Sequence, residues 1–301
     1  MKTFSILVKR NIKLFFKDKG LFFTSLITPA ILLVLYVTFL GNVYRDSFVS
    51  SVPAGMVIPD QLINGIVSGE LISSLLAVSC VTVAFCSNFL MVQDKVNGVV
   101  KDLRVSPVKP STLSLAYYVA NLVTTLSICY IATAVCLGYV ALVGWYMSVC
   151  DVLLLLLDVT LLVLFGNALS SLINYFLSTQ GQISAVGTII SSGYGFICGA
   201  YMPLSSFSKG LRTATSFLPG TYGTSLMRNH AMQGALVELQ GQGVPAAVVE
   251  KIKDSLDCNL YFFEKPVSQV VSYLILGAAI IVFLSAYILL HVFAGRSRRK
   301  K

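Results

Sequence analysis

The chain has 301 residues, 56% of them hydrophobic and 12% charged, with a mean hydropathy of +0.81 and a formal charge of +9. A soluble domain carries about twice that share of charge, so a water-soluble globular protein is excluded and an integral membrane protein indicated. Of the seven cysteines, Cys80, Cys86, Cys129, Cys136 and Cys198 lie inside apolar runs, where cysteine acts as a small hydrophobe. No pair has zinc-finger or redox CxxC spacing.

Residues 2–19 read as an amphipathic helix. At about 100° per residue, Phe4, Leu7, Val8, Ile12 and Phe15 fall on one face. Lys2, Lys9, Arg10, Lys13 and Lys17 fall on the other, with Ile6 and Asn11 out of pattern. This pattern predicts an interfacial helix whose apolar side lies among lipid headgroups. It leads into a run too long for the apolar core of a signal peptide.

A membrane span needs roughly 20 apolar residues. Six runs qualify as candidates, at about 21–41, 62–92, 112–144, 151–177, 182–202 and 267–294. The second and third exceed a bilayer's need and are expected to tilt or protrude. The fifth is short, Gly-rich and followed by Pro203, which suits a broken or re-entrant element better than a clean crossing.

Between the second and third runs stands a charged island, Asp94-Lys-Val-Asn-Gly98-Val-Val-Lys-Asp-Leu103-Arg-Val-Ser106-Pro107. Ionised groups are costly in hydrocarbon, so this helical segment is expected at a membrane surface. Lysine and arginine orient the chain. The N-terminal segment holds six, the 95–109 loop four and the tail from Arg296 five, 15 of the 22 in all. Both termini are therefore expected in the cytoplasm. The Arg-Ser-Arg-Arg-Lys-Lys end reads as an anchor against anionic lipid rather than a nucleic-acid contact. Cys150 and Cys258 then both fall outside, which leaves a disulfide between them open.

Two spans carry stripes of small or polar residues at helical spacing. The second has Glu70, Ser73, Ser74, Ala77, Cys80, Ala84, Ser87 and Asn88; the fifth has Ser184, Thr188, Ser191, Ser192, Gly195 and Gly199. Close helix packing explains such stripes, and so does the lining of a permeation path or dimer interface. Glu70 and Asp158 are acids at apparent membrane depth, where an ionisable group is a functional candidate. A path or interface contact and a shallow wetted position both fit Glu70. Asp158, two turns from Asp151, is expected near the outer interface, and His230 as an ordinary loop residue. Residues 229–265 read as an external insert containing a short helix after Pro245.

The island, the amphipathic start and the six runs together resemble the permease subunit of the ABC type-2 exporter family. Asp94 stands where that family usually has Glu, while Gly98, Leu103, Ser106 and Pro107 match; Val99-Val100-Lys101 replaces the family's frequent Thr-Leu-Glu. A second region, Cys198-Gly-Ala-Tyr-Met-Pro203, then Phe217-Leu-Pro219-Gly-Thr-Tyr222 and Leu226-Met-Arg228, resembles the end of the family's fifth span and its external turn.

The resemblance implies an all-α membrane protein, a single transmembrane domain over residues 1–301. Residues 1–19 would be its connecting helix and 93–110 its cytoplasmic coupling helix. Residues 203–265 would form a re-entrant external region. Asp94, Lys95, Gly98, Lys101, Asp102, Leu103, Arg104, Ser106 and Pro107 would couple to an ATPase. Gly199, Pro203, Phe217, Pro219 and Tyr222 would form the external gate. No G-x-x-x-x-G-K-[ST] loop is present to cradle phosphates. ATP and Mg are therefore expected on separate ABC ATPase subunits, with a second permease copy completing the pathway in a bacterial inner membrane. No cofactor, metal or catalytic residue is expected on this chain. The cargo implied is an amphipathic drug, peptide or lipid-like molecule moved outward. A lipid-linked glycan, or ion-coupled transport through Glu70 and Asp158, are the competing readings.

Overall fold

The computed structural model describes residues 2–51, 58–106, 108–263 and 265–298. Twelve α-helices dominate these residues. Helix α1, Lys2–Lys17, is followed at the N-cap Asp18 by α2, Lys19–Leu35. A π-helical turn, Tyr36–Leu40, joins α2 to α3, Gly41–Ser51. Then come α4, Asp60–Val96; α5, Val99–Val105; α6, Pro110–Val143; α7, Val149–Phe176; and α8, Gln180–Ile197. The second half holds α9, Lys209–Ser216; α10, Pro219–Gly241; α11, Ala246–Ser255; and α12, Gln269–Arg298. Strands β1, Leu260–Phe262, and β2, Lys265–Val267, pair antiparallel just before α12, a small departure from an all-helical chain.

Among the described residues, five helical stretches are long and apolar enough to cross a membrane: Lys19–Asp46, Asp60–Val96, Pro110–Val143, Val149–Phe176 and Gln269–Val292. The run expected at 182–202 is the shorter α8, which ends at Ile197 and is not among the five. Large apolar side chains such as Phe23, Ile27, Ile31 and Val34 on α2 are exposed in a row, as are Leu274, Ile281 and Val282 on α12. Such rows are disfavoured beside water and suit contact with lipid tails.

Helix α4 is the axis of the bundle. It packs against α2, α6, α7, α8 and α10, and 94% of its most apolar window is buried. Small residues allow this: a Cβ at Gly69 would stand 2.9 Å from the Ala231 carbonyl oxygen, so α10 lies backbone-to-backbone on α4.

The apolar face of α1 is not given to lipid headgroups. Leu7 packs with Met91, Val100, Leu113, Ala116 and Tyr117, so α6 and the loop helix α5 cover it. Ile6, out of pattern in the helical wheel, is the residue left 65% exposed. The acid Asp151 is accounted for locally. Its carboxylate accepts from the Ser148 N–H at 2.8 Å while its own N–H donates to Ser148 Oγ, a capping box that starts α7. Cys150 and Cys258 are both free thiols, the first exposed and the second buried, so no disulfide joins them.

Candidate functional site

Helix α4 ends in an elbow. Asn97 closes its last turn, and Gly98 takes φ +81° and ψ −9° before α5 begins. A Cβ there would meet nothing within 4 Å. What the position requires of glycine is therefore the left-handed backbone and not the space.

The charged residues before this elbow turn inward. Asp94 is buried and accepts from Arg10 Nη1 at 2.7 Å, Arg10 Nη2 at 3.3 Å and the Tyr117 hydroxyl at 2.5 Å. Arg10's pKa is raised, chiefly by its hydrogen bond to Asp94. The fork is charge-assisted and bidentate. It ties α1, α4 and α6 at one point. Lys95 Nζ donates to the carbonyls of Asn174, Tyr175 and Leu177 at 2.9, 2.8 and 3.2 Å. These carbonyls stand at the negative end of α7, where a cation is favoured. Asp94 and Lys95, read from sequence as ATPase contacts, are thus committed within the subunit.

Helix α5 has two faces. Val100 is buried and Leu103 packs beside it, joining the cluster under α1. Ser106 Oγ donates to the Leu103 carbonyl at 2.6 Å, closing the helix. Lys101 and Asp102 face outward, and Val105 is 91% exposed. The Arg104 side chain and the whole of Pro107 lie outside the described residues. Val105 was not among the residues singled out from sequence. The helical period nevertheless turns it about 140° from Val100, away from the bundle.

The two polar stripes part company. Glu70, Ser73, Ser74 and Ala77 are all 2% exposed or less, enclosed by other helices of the same subunit. They line no surface path in this chain, because α4 is the core and not a wall. On α8, Ser184, Thr188 and Ser192 are exposed, Ser191 is half-buried and Gly195 is buried beneath the Tyr201 ring. The Thr188 and Ser192 hydroxyls donate to carbonyls four residues back, at 2.9 and 2.7 Å. That back-bonding satisfies them in an apolar surrounding.

After α8 the chain reverses. Gly199 takes φ +77°, and the N–H groups of Ala200 and Tyr201 return to the Gly195 carbonyl at 2.8 and 3.0 Å. Pro203 precedes a single 3-10 turn, Leu204–Ser206, and Pro219 opens α10 at its first turn, where a missing N–H costs nothing. The Tyr222 ring is buried and its hydroxyl donates to the Ser216 carbonyl at 2.6 Å. Phe217 is 60% exposed and sits edge-on to Phe262 and Phe263, at centroid distances of 5.2 and 6.0 Å.

Helix α10 departs from expectation. Residues 229–241 belong to this helix and not to an external loop, and most of its length is packed against α4, α7 and α12. Arg228, 1% exposed, lies between two acids: Glu70 Oε1 at 2.9 Å from Nη2, and Asp257 Oδ2 at 3.3 Å from Nη1. Nη2 also donates to the Gly199 carbonyl at 2.6 Å and to Ser74 Oγ at 3.1 Å. One guanidinium therefore holds the reversal, the central helix and the external insert together. Two residues further along α10, His230 Nδ1 meets Asp158 Oδ2 at 2.5 Å, and the Tyr273 hydroxyl donates to Asp158 Oδ1 at 2.7 Å. Asp158 is 1% exposed, and His230 is buried in α10 instead of lying in the loop expected. The available signal was Pro219 at a helix start followed by an unbroken run to Gly241. The polarity of Thr221, Thr224, Ser225, Arg228 and Asn229 masked it.

A family model described as ABC-2 type transporter matches residues 2–231, from α1 through the elbow and the reversal into α10. The chain belongs to the ABC-2 type transporter family. No curated protein matches it in a sequence comparison. As an ABC-2 permease it is a multi-pass membrane component of an ABC transporter, a class that works with ABC ATPases and is not itself catalytic. The family match stops within α10, so α11, the β-hairpin and α12 lie beyond it.

Proposed function

We propose that this ABC-2 permease is the membrane half of an ATP-driven exporter, with hydrolysis supplied by a separate ATPase that docks on α5. The observation that carries this reading is the wiring of the elbow. Helix α5 presents Lys101, Asp102 and Val105 outward, while Val100 and Leu103 join it to the bundle. Just before it, Asp94 and Lys95 grip α1, α6 and the end of α7. A push on α5 is thereby passed to three packed elements and along α4 to the external side. Packed, bistable elements transmit such displacements.

In this reading α8 enters from the cytoplasmic side as the fifth of six spans and turns back at Gly199, and residues 203–265 close the exit. Its exposed Ser184, Thr188 and Ser192 face supports contact with a second copy across the path. The excess of Lys and Arg at both ends and in the 95–109 loop supports cytoplasmic termini in a bacterial inner membrane. ATP and Mg would be bound by the partner. The cargo best suited is an amphipathic drug, peptide or lipid-like molecule. Ion coupling through Glu70 and Asp158 is disfavoured because each acid is enclosed beside a basic partner within the subunit.

The deciding experiment is affinity purification from the native membrane with an ATPase assay on what comes with the chain. A co-purifying protein with vanadate-sensitive hydrolysis, lost when Val105 is changed to Asp, is expected. A permease that transports without any ATPase ends this reading.

A further inference from the structure

The β-hairpin before α12 breaks two habits of such turns at one residue. Phe262 pairs with Lys265, so two residues make the turn, and Phe263 is the first of them. It takes φ +46°, a left-handed backbone that asparagine and glycine adopt readily and a bulky side chain resists. Its ring is nevertheless 61% exposed and adds little to any core. A strained position with so small a packing gain inside the subunit points to a use outside it.

Three rings gather at this tip. Phe263 stands edge-on to Phe262 at a centroid distance of 4.9 Å, and Phe217, from the turn before α10, stands edge-on to both. Exposed cations flank the rings: Lys265 on β2, and Arg212, whose guanidinium lies 5.7 Å from the centre of the Tyr261 ring. The acids on this side are engaged elsewhere, Glu250 and Asp254 accepting from the Asn259 amide and Asp254 also from the Tyr261 hydroxyl. Neighbours fix the level of the hairpin. Leu260 of β1 and Val267 of β2 share an apolar cluster with Ile275, the seventh residue of α12. Two residues before it, Tyr273 reaches Asp158, which lies about 14 Å along α7 from Val149. Over that stretch α7 exposes Val149, Leu153 and Leu157, and α12 exposes Val270, Val271 and Leu274. The hairpin therefore stands beside the exposed apolar part of two candidate spans and not beyond their ends. Lys95 grips the opposite end of α7, so this is the leaflet away from the elbow.

The geometry points to the hairpin tip as a lipid anchor: Phe263, Phe262 and Phe217 enter the leaflet away from the elbow, while Lys265 and Arg212 reach back to lipid phosphates. Aromatic rings beside lysine and arginine hold a protein at the boundary of acyl chains and headgroups, the long basic side chains bending toward water. The exposed apolar row of α12 continues this surface directly, which favours lipid over a protein partner as its occupant. The hairpin lies outside the residues that the family model matches. Through Phe217 the anchor also ties the turn between α9 and α10 to the membrane, so the segment that closes the exit in the proposed exporter is held by lipid. Its test needs neither cargo nor ATPase, so the two readings fail separately.

Trp145 is the one tryptophan of the chain, so Trp145→Phe gives a dark background for a placed reporter. In that background the full chain with Phe263→Trp is put into nanodiscs of phosphatidylcholine brominated on its acyl chains. It should lose about half its emission relative to unbrominated lipid, and aqueous iodide should add little. Emission that bromine leaves unchanged overturns the proposal, whether iodide quenches it because the tip is in water or nothing does because a second copy covers it. A new tryptophan brings its own preference for the interface, so Phe217→Trp with Phe263 intact is the second reporter. Bromine should quench it too, and about half that quenching should vanish when Phe263→Asn is added. Asparagine suits the left-handed backbone, so this variant keeps the turn. Quenching at position 217 that is absent, or equal with and without Phe263, overturns the anchor.

Discussion

Arg10 and Asp94, 84 positions apart in the chain, meet through two hydrogen bonds at the C-terminal end of the central helix α4. Through this fork α1 is joined to the elbow and, by the Tyr117 hydroxyl, to α6.

Asp94→Asn keeps the shape and removes the charge. It should cost about 1–3 kcal/mol, because Arg10 and Tyr117 lose an ionic acceptor at a buried site. Tyr117→Phe should cost about 1 kcal/mol, removing one hydroxyl bond and little packing. Thermal unfolding of both variants checks the order, and limited proteolysis near residue 10 should be faster in the first. Equal stabilities for Asp94→Asn and the wild type would mean that the fork does not hold α1.

Gly98→Ala should strain the elbow by about 1 kcal/mol, since an L side chain resists φ +81°. Gly98→Asn should be tolerated better and Gly98→Val worse, because asparagine visits this region and β-branched residues avoid it. The open space around the Cβ makes the series purely conformational. Unfolding midpoints read the strain, and ATPase stimulation by the reconstituted permease reads its effect on coupling. A ranking by side-chain volume alone would point to crowding instead.

Val105→Asp should leave stability within about 0.5 kcal/mol of the wild type, as exposed substitutions do. Recovery of the ATPase on the purified permease should nonetheless fall at least tenfold. Unchanged recovery would remove Val105 from the docking surface. Lys101→Glu, on the same exposed face, is a useful companion that tests charge rather than apolar contact.

Lys95→Met retains the apolar stem and deletes the cap on α7. A loss of about 1–2 kcal/mol is expected, since three carbonyls lose a charged donor. Hydrogen exchange should show fraying confined to the last turn of α7, around Asn174–Phe176. Fraying elsewhere, or none, would contradict the capping role.

The amino-acid order alone determined a good deal of this ABC-2 permease. The α1 pattern, the apolar runs of α2, α4, α6, α7 and α12, and the charged island at Asp94–Pro107 are one-dimensional signals. Each follows from what hydrocarbon tolerates: long apolar stretches inside, charges outside, helical periods at boundaries. Which face of each helix meets protein could not be read in the same way. Helix α4 had a polar stripe that suited either close packing or a path, and neighbouring helices enclose it. Helix α10 carries arginine, histidine and asparagine and was expected partly in an external loop. It is buried because Glu70, Asp158, Asp257 and Tyr273, supplied by other segments, meet those polar groups. A polar residue's own pattern predicts water. Only the fold brings the distant partner that makes burial affordable, and that pairing decided where the buried ionic clusters of this protein lie.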